Sequence, residues 1–173
     1  MANKLNVGCG EKPKAGWINV DKFVPNGFDN IQFGDLEQGL EFSDESFDEI
    51  LLDNVIEHVF DIPVCIKEIH RLLKEDGVCI LRTPHFSSAS SWRDPTHIHH
   101  LSYFSFDYFE SGSRSNYLGT KFSVHKKLSF GGGLGLIGRL LFKFSPSRWE
   151  EKYSFVFRAS TLTIILKKQS SKL

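Results

Sequence analysis

Three acidic side chains and one glycine turn stand shortly after short apolar runs in the first part of the chain. Gly8-Cys9-Gly10 follows the first run, and Asp21, Asp35 and Asp53 follow the next three. Short apolar runs bounded by turn residues are typical of buried strands. In an open parallel sheet, ligands bind beyond the carboxyl ends of the strands, where glycine lets the backbone approach a ligand closely. The pattern therefore predicts a ligand-binding site at this edge of a sheet.

A second group of reactive side chains lies in residues 86–101, a stretch rich in serine and histidine that shows no periodicity. His97, His99 and His100 stand there close to Asp94. Imidazole titrates near neutral pH and can remove a proton from an acceptor group. We predict a long loop over the strand ends, with one of the three histidines as a base. The alternative is that the histidines are ordinary hydrogen-bonding residues of the loop.

The elements that position these residues are predicted to form an α/β sheet. Apolar residues from Ile62 to Leu73 recur at three- and four-residue steps, as in an amphipathic helix, and we expect Gly77 to end it in a left-handed turn. Strand, helix, strand in this order predicts a right-handed crossover between parallel strands. A short helix is predicted over 104–109. Strands are predicted over 4–7, 17–20, 31–33, 47–52, 78–82, 121–130 and 161–167.

Six segments of the first half resemble the signature of the class I methyltransferases, which use S-adenosylmethionine as methyl donor. They stand in the order of that signature, and the chain is similar to the small, type 11-like members of the class. The segments are Leu5-Asn-Val-Gly-Cys-Gly10, Gly16-Trp-Ile-Asn-Val-Asp21, Gly34-Asp-Leu36, Ser46-Phe-Asp-Glu-Ile50, Val55-Ile-Glu-His-Val59 and Glu68-Ile-His-Arg-Leu-Leu-Lys-Glu-Asp-Gly77.

The resemblance implies a Rossmann-like sheet, mostly parallel with an antiparallel carboxyl-terminal strand, and S-adenosylhomocysteine as the product of the cofactor. It implies that Asp21 holds the ribose and that Asp35 with Leu36 frames the adenine. Asp53 is also a second candidate base. A role as helix caps or turn residues is the alternative for the acids. The predicted cofactor-binding set is Asn6, Gly8, Cys9, Gly10, Asp21, Lys22, Asp35, Leu36, Asp53 and Asn54.

Some positions depart from the pattern of the class. Asn6 replaces the usual acid two residues before the first glycine, and Lys12 stands where many relatives have a third glycine. Only about ten residues separate Gly10 from Asp21, too few for a crossover helix and the second strand. We therefore predict that the first crossover helix is reduced to a turn or two.

Glu57-His58 matches part of a pattern with which some quinone-type methyltransferases bind a divalent ion. The additional upstream glutamate of that pattern is Asn54 here, whose neutral amide removes a charged ligand. We therefore predict a structural or pocket role for Glu57 and His58, and no metal site. An alternative metal site, whose geometry nothing else in the sequence fixes, consists of Asp94, His97 and His99.

The second half resembles a narrower set of small methyltransferases often linked with surface-polysaccharide or lipid-linked sugar biosynthesis. The matching parts are Asp94-Pro-Thr-His97 and the aromatic segment Phe104-Ser-Phe-Asp-Tyr-Phe109. This resemblance implies a small-molecule or saccharide acceptor under the loop, methylated at oxygen or nitrogen.

Composition bounds the remaining possibilities. The chain has 173 residues, with 21 basic and 21 acidic side chains, so we expect one domain over 1–173 and no nucleic-acid partner. Within it, 1–84 would bind the cofactor and 85–173 the acceptor. The three widely spaced cysteines and the lack of a leader segment favour reduced thiols and a soluble, cytoplasmic protein.

Residues 131–144 are apolar and rich in glycine, and Trp149, Tyr153, Phe155 and Phe157 follow closely. This stretch is compatible with a core helix packed on the sheet or with a mobile flap over an apolar acceptor. It is also compatible with peripheral membrane contact or a homodimer through 131–157.

Two other functions share parts of the pattern. A nicotinamide-dependent oxidoreductase has the same glycine turn and ribose-binding acid, but Pro13 stands where its Gly-x-Gly-x-x-Gly fingerprint needs the last glycine. The other is a catalytically inactive cofactor-binding protein or a membrane-associated accessory protein.

Overall fold

A computed structural model describes residues 3–113 and 119–170, and its centre is one seven-stranded sheet of order β3-β2-β1-β4-β5-β7-β6. Strands β1 to β5 are mutually parallel, whereas β7 runs antiparallel to both β5 and β6. The predicted α/β class, mostly parallel with an antiparallel end, is therefore confirmed. The strands are β1 Lys4–Val7, β2 Ile18–Asp21, β3 Ile31–Phe33, β4 Phe47–Asp53, β5 Leu73–Pro84, β6 Phe122–Phe130 and β7 Ala159–Lys168. The helices are α1 Ile62–Leu72, α2 Ser90–Arg93, a 3-10 helix Ser105–Phe109, α3 Leu134–Phe144 and α4 Pro146–Lys152.

Helix α1 forms the crossover between β4 and β5 and packs its apolar stripe on the sheet. It begins where the sequence provides an N-cap: the Asp61 carboxylate accepts a hydrogen bond from the Val64 amide at 2.9 Å. Proline in the first turn fits a position that has no intrahelical partner. The buried stripe, Cys65, Ile66, Ile69 and Leu72, is the one that the periodicity predicts.

The junction between α1 and β5 differs from the prediction. Asp76, not Gly77, takes the left-handed conformation, with φ of 61°. Gly77 is required for a different reason, because a Cβ there would lie 2.9 Å from the Lys74 carbonyl oxygen and 3.1 Å from that of Phe47. The expected glycine cap is wrong, and the glycine serves close backbone packing where β5 joins β4.

The first three crossovers contain no helix within the described residues, since the chain passes from β1 to β4 through turns. The shortened first crossover is confirmed, and the loss extends to the next two. Part of the space is filled by the segment before β4, which α1 holds through two side chains. Arg71 donates to the Leu40 and Phe42 carbonyl oxygens at 3.1 and 2.8 Å, and Glu68 accepts from the Leu40 amide at 2.8 Å.

The second half adds β6 and β7 to the sheet and places the remaining helices beyond β5. Residues 86–101 are mainly loop, as predicted, but include the four-residue α2 that their sequence does not reveal. The predicted short helix at 104–109 is a 3-10 helix. None of the helices in the described ranges is long and apolar enough to cross a membrane.

Candidate active site

The glycine turn after β1 brings the backbone close to β2 and β4. The amides of Gly8 and Cys9 both donate to the Val20 carbonyl oxygen, at 2.8 and 3.3 Å. Gly8 has φ of 65°, and a Cβ there would lie 2.4 Å from Cγ2 of Val55. Both the conformation and the close contact therefore require glycine.

Asp21, the last residue of β2, is buried and fixes this turn. Its carboxylate accepts hydrogen bonds from the amides of Gly10 and Phe23, at 2.7 and 2.8 Å. Each carboxylate oxygen has a second lone pair, so both retain capacity to accept from a ligand.

A cavity of about 560 Å³ lies at the carboxyl ends of β1 to β4, a volume within the range of small-molecule sites. Six residues of the predicted cofactor set line it: Gly8, Asp21, Lys22, Asp35, Leu36 and Asn54. Further lining comes from residues outside the predicted cofactor set, among them His58, for which the sequence predicts a structural or pocket role. These residues are Val7, Phe23, Gly34, Glu37, Val55, His58, Val59, Phe60, Thr96 and Ile98. The cavity therefore joins polar groups at the strand ends to apolar walls.

Four residues of the predicted cofactor set lie outside the lining of this cavity. Asn6 donates to the Asn19 side-chain oxygen at 3.0 Å, so it braces β1 against β2. Cys9 is buried beside the turn, and burial raises the pKa of its thiol. Gly10 supplies its amide to Asp21. Asp53 is exposed and pairs with Arg82 at 3.1 Å.

A cleft of similar size adjoins the cavity and shares two lining residues with it, Asn54 and His58. The rest of its lining comes from the end of β5 and from the predicted loop: Pro84, Ser90, Arg93, Asp94, Pro95 and His97. The loop thus contributes to both spaces, because Thr96 and Ile98 line the cavity.

The three histidines of the loop, His97, His99 and His100, have different surroundings in the structure. His97 lines the cleft, and its Nδ1 lies 3.0 Å from the Ser91 carbonyl oxygen. His100 stacks on Trp92 with ring centroids 3.6 Å apart, and the buried Nε2 of His99 has no hydrogen-bond partner among the described residues. Of the three, only His97 lines either space.

Glu57, for which the sequence predicts a structural or pocket role, is buried next to the loop. Its side chain is only 1% exposed, and neither carboxylate oxygen has a hydrogen-bond partner within the described ranges. Burial raises the pKa of this carboxyl, against weaker opposing effects of its own backbone amide, of the nearby Thr83 hydroxyl and of His58 and His97. Its backbone carbonyl accepts from two amides of the loop, those of Ile98 and His99. The Glu57-His58 signature can be seen in the sequence. The approach of His97 to Glu57 cannot, because it depends on the path of the loop.

A wider depression of about 720 Å³ lies beside α1 and has fewer polar groups available for a ligand. Several of its charged side chains are already paired within the fold, among them Glu68 with Arg71 at 2.6 Å and Lys168 with the Leu73 carbonyl oxygen at 2.8 Å. It also lies away from the glycine turn, so we place the candidate active site in the cavity and the cleft.

Comparisons with known proteins concern the class of protein and the fold. A family model described as a methyltransferase domain matches residues 17–81. No curated protein matches the chain.

Solved structures match almost its whole length. A SAM-dependent methyltransferase from Archaeoglobus fulgidus has a TM-score of 0.66 at 17% identity, over 96% of this chain and 86% of that one. The YcgJ protein from Bacillus subtilis has a TM-score of 0.63 at 18% identity, over 98% and 93%. Phosphoethanolamine N-methyltransferase 2 from Haemonchus contortus, solved with S-adenosyl-L-methionine, has a TM-score of 0.60 at 14% identity, over 98% and 49%.

The sheet order and the family match together define a class I methyltransferase fold. Residues 17–81 match the methyltransferase-domain model, and the solved structures of this fold that match the chain include SAM-dependent methyltransferases. At these identities the solved structures establish the fold and do not identify the acceptor.

Proposed function

We propose that the chain transfers the methyl group of S-adenosylmethionine, bound in the cavity, to an oxygen or nitrogen of a small-molecule acceptor in the cleft. The observation that carries this proposal is that the two spaces adjoin, with Asn54 and His58 in the lining of both. Adjoining sites align donor and acceptor for direct transfer, which supplies most of what the reaction needs. A saccharide or lipid-linked sugar acceptor stays a prediction.

The residues at the cavity fit this cofactor. Gly8 leaves the floor free of a Cβ, and the Asp21 carboxylate retains lone pairs for a pair of ribose hydroxyls. Asp35 and Leu36 stand at the neighbouring strand end, where they would frame the adenine. The exposed rings of Phe23 and Phe60 supply apolar wall at the rim.

When bound, S-adenosylmethionine supplies a methyl group on a positively charged sulfur, and that carbon–sulfur bond breaks as the acceptor lone pair forms the new bond. The chain orients the acceptor beside Asn54 and His58 and limits access of water through the loop. A hydroxyl or protonated amine acceptor also loses a proton. His97 is the predicted base that lines the cleft, and its Nδ1 must donate to the Ser91 carbonyl, which leaves Nε2 with the lone pair.

The experiment that tests the cofactor site is a calorimetric titration of the purified protein with S-adenosylhomocysteine, with NADH as the comparison. We expect micromolar binding of S-adenosylhomocysteine, weakened about tenfold or more in Asp21→Asn because a hydrogen bond to a charged group is lost. Asp53→Asn is the matched control, since this acid likewise ends a parallel strand of the sheet, β4, but lies outside the cavity lining. Circular dichroism verifies that each variant is folded.

Three outcomes count against the cofactor site. They are tighter binding of NADH, equal losses in the two variants, or a folded wild-type protein that binds neither ligand. The last of these would favour the accessory-protein alternative.

A second activity, peripheral contact with an anionic membrane, is supported by the outer face of α3. Leu136, Leu140 and Phe144 follow one another at four-residue steps on this face and are 54, 56 and 82% exposed. The buried residues of the helix, Gly135 and Gly138, lie on its other side. An apolar stripe of this kind, beside cations, is typical of helices that lie in a membrane interface.

The charges near α3 favour an anionic surface over a second copy of the chain. Four exposed cations lie on α3 and α4 without an ion pair in the described part of the chain: Arg139, Lys143, Arg148 and Lys152. Glu151 is the exposed acid among them. Two copies meeting through this face would bring like charges together.

Sedimentation with liposomes tests this contact. We expect binding to vesicles that contain phosphatidylserine, little binding to pure phosphatidylcholine, and loss of binding in Leu140→Asp. Leu140→Gln, which removes the apolar group without adding a charge, should retain an intermediate fraction. Concentration-dependent dimerisation that Leu140→Asp abolishes, without vesicle binding, would refute the proposal in favour of a homodimer.

A further inference from the structure

We propose that Glu57, His58 and His97 form a binding site for a divalent transition-metal ion of the zinc type where the cofactor cavity meets the cleft. One carboxylate and two imidazoles are a ligand set that zinc uses in catalytic sites. The set joins two residues of the turn before α1 to one residue of the loop, so it exists only in the folded chain.

The distances bring the three residues to one point. One ligand atom from each, a carboxylate oxygen or a ring nitrogen, lies within 4.8 Å of the others. Glu57 Oε1 and His97 Nε2 are 3.9 Å apart, and the rings of His58 and His97 meet edge to face with centroids at 4.6 Å. Ligands of a tetrahedral zinc ion lie about 3.3 Å apart. Side-chain rotations that move the ligand atoms by about 1 Å would bring them to the separation that a tetrahedral ion requires.

Hydrogen bonds to Nδ1 of both rings select the neutral tautomer that metal ligation through Nε2 requires. His97 Nδ1 faces the Ser91 carbonyl oxygen, which can only accept, so this nitrogen carries the proton. His58 Nδ1 faces the Thr96 carbonyl oxygen at 3.2 Å and the Thr96 hydroxyl at 3.0 Å. That hydroxyl gives its own hydrogen to Asp94, so it too accepts from His58. In their neutral form, both histidines therefore carry the lone pair on Nε2, and a backbone carbonyl behind a ligand is the usual second partner in metal sites.

The burial of Glu57 without a hydrogen-bond partner in the described ranges is an independent observation that points to a ligand. A carboxylate that is 1% exposed and has no hydrogen-bond partner in the described ranges carries a large desolvation cost. The Thr83 hydroxyl approaches it without reaching hydrogen-bonding geometry, and one hydroxyl would satisfy only one of its lone pairs. A divalent ion would offset this cost directly, because buried charges are stabilised by pairing or by metal coordination.

The ligand set selects the class of ion. Two imidazole nitrogens favour zinc and its transition-metal neighbours over magnesium or calcium, which prefer oxygen ligands. Three protein ligands leave a fourth position open toward the cleft that His58 and His97 line. On the proposed function, that position would take an acceptor oxygen and promote loss of its proton, in place of direct proton transfer to His97.

Metal titration of the untagged, chelator-treated protein tests the site without any assay of activity. We expect one saturable zinc site by calorimetry, and Co²⁺ absorption bands that indicate nitrogen ligands. Glu57→Gln and His97→Gln should each weaken binding at least tenfold. His125→Gln, which removes an exposed histidine of β6, should leave both signals unchanged and so controls for surface adsorption.

Glu57→Gln removes a buried charge and so leaves no unpaired carboxylate that could unfold the chain. Loss of metal binding in this variant therefore cannot be attributed to such unfolding. His58→Gln, at a half-buried position, provides a second independent variant. Absence of saturable binding, or equal affinity in wild type and variants, would overturn the proposal and leave Glu57 beside His97 with no bound ion. Titration of the same metal-free protein with S-adenosylhomocysteine keeps the two hypotheses separate, because cofactor binding does not require the ion.

Discussion

At the scale of single residues, Gly8 and Gly10 share a left-handed backbone but differ in their surroundings. Their φ angles are 65° and 51°. A Cβ at Gly8 would collide with Val55, whereas a Cβ at Gly10 would have no heavy atom within 4 Å. This pair separates the cost of backbone conformation from the cost of occupying space beside the cavity.

We predict that Gly10→Ala lowers the free energy of unfolding by about 1–2 kcal/mol, the cost of a left-handed L-residue. Gly8→Ala should cost a further 1–3 kcal/mol, roughly the cost of overpacking. Adding Val55→Ala to Gly8→Ala should recover part of this difference. Urea unfolding of the four proteins measures it, and equal losses in the two single variants would contradict the close contact.

The sequence indicated Gly8, Asp21, Asp35 and Leu36 because each follows a short apolar run at a predictable strand end. Cavity residues such as Val55 and Phe60 could not be found in this way. They lie in turns, where hydrophobic periodicity gives no information and position depends on tertiary packing. The same limit applies to His97, since its contact with Glu57 joins segments that lie 40 residues apart in the chain.

At the scale of elements, the sequence defines strands and α1 better than it defines their connections. Apolar runs and the stripe of α1 were sufficient for the seven strands and α1, whereas α3 was one of several alternatives and α4 was not predicted. The short spacing before Asp21 showed that a first crossover helix does not fit. By contrast, α2 has four residues, too few to establish a period, and the conformation of Asp76 depends on how Gly77 packs against Phe47.

Because turns replace the first three crossover helices, α1 is the only crossover helix that packs on the parallel strands within the described residues. Its Glu68 and Arg71 bind the segment before β4 and so take over part of the role of missing helices. Burial by itself would raise the pKa of the Glu68 carboxyl, but hydrogen bonds from Arg71 and the Leu40 amide hold it below its usual range. Glu68 therefore stays ionised in its pairing with Arg71, and the connection is electrostatic as well as geometric.

At the scale of the whole molecule, Glu150 of α4 binds two segments of the second half of the chain, the end of β5 and the region after the loop. Its carboxylate accepts from His85 Nε2 at 2.9 Å, from the Ser102 hydroxyl at 2.7 Å and from the Tyr103 amide at 2.8 Å. His85 Nδ1 in turn accepts from the Ser87 amide, so Nε2 carries the hydrogen that it donates to Glu150. This network fixes the end of β5 and the far end of the loop against α4.

The network predicts a pH-dependent part of the stability. Burial alone would raise the pKa of Glu150, but the hydrogen bonds from His85, Ser102 and Tyr103 outweigh it and hold the pKa below its usual range. A depressed pKa in the folded state means that the contribution is complete above the unfolded value of about 4.3 and is lost as the pH falls through the folded value. Glu150→Gln should therefore cost about 1–3 kcal/mol at pH 7 and progressively less below about pH 4. Glu151→Gln, the exposed neighbour, should follow the wild type at every pH; urea unfolding between pH 3 and 7 measures all three, and parallel curves for wild type and Glu150→Gln would refute the assignment.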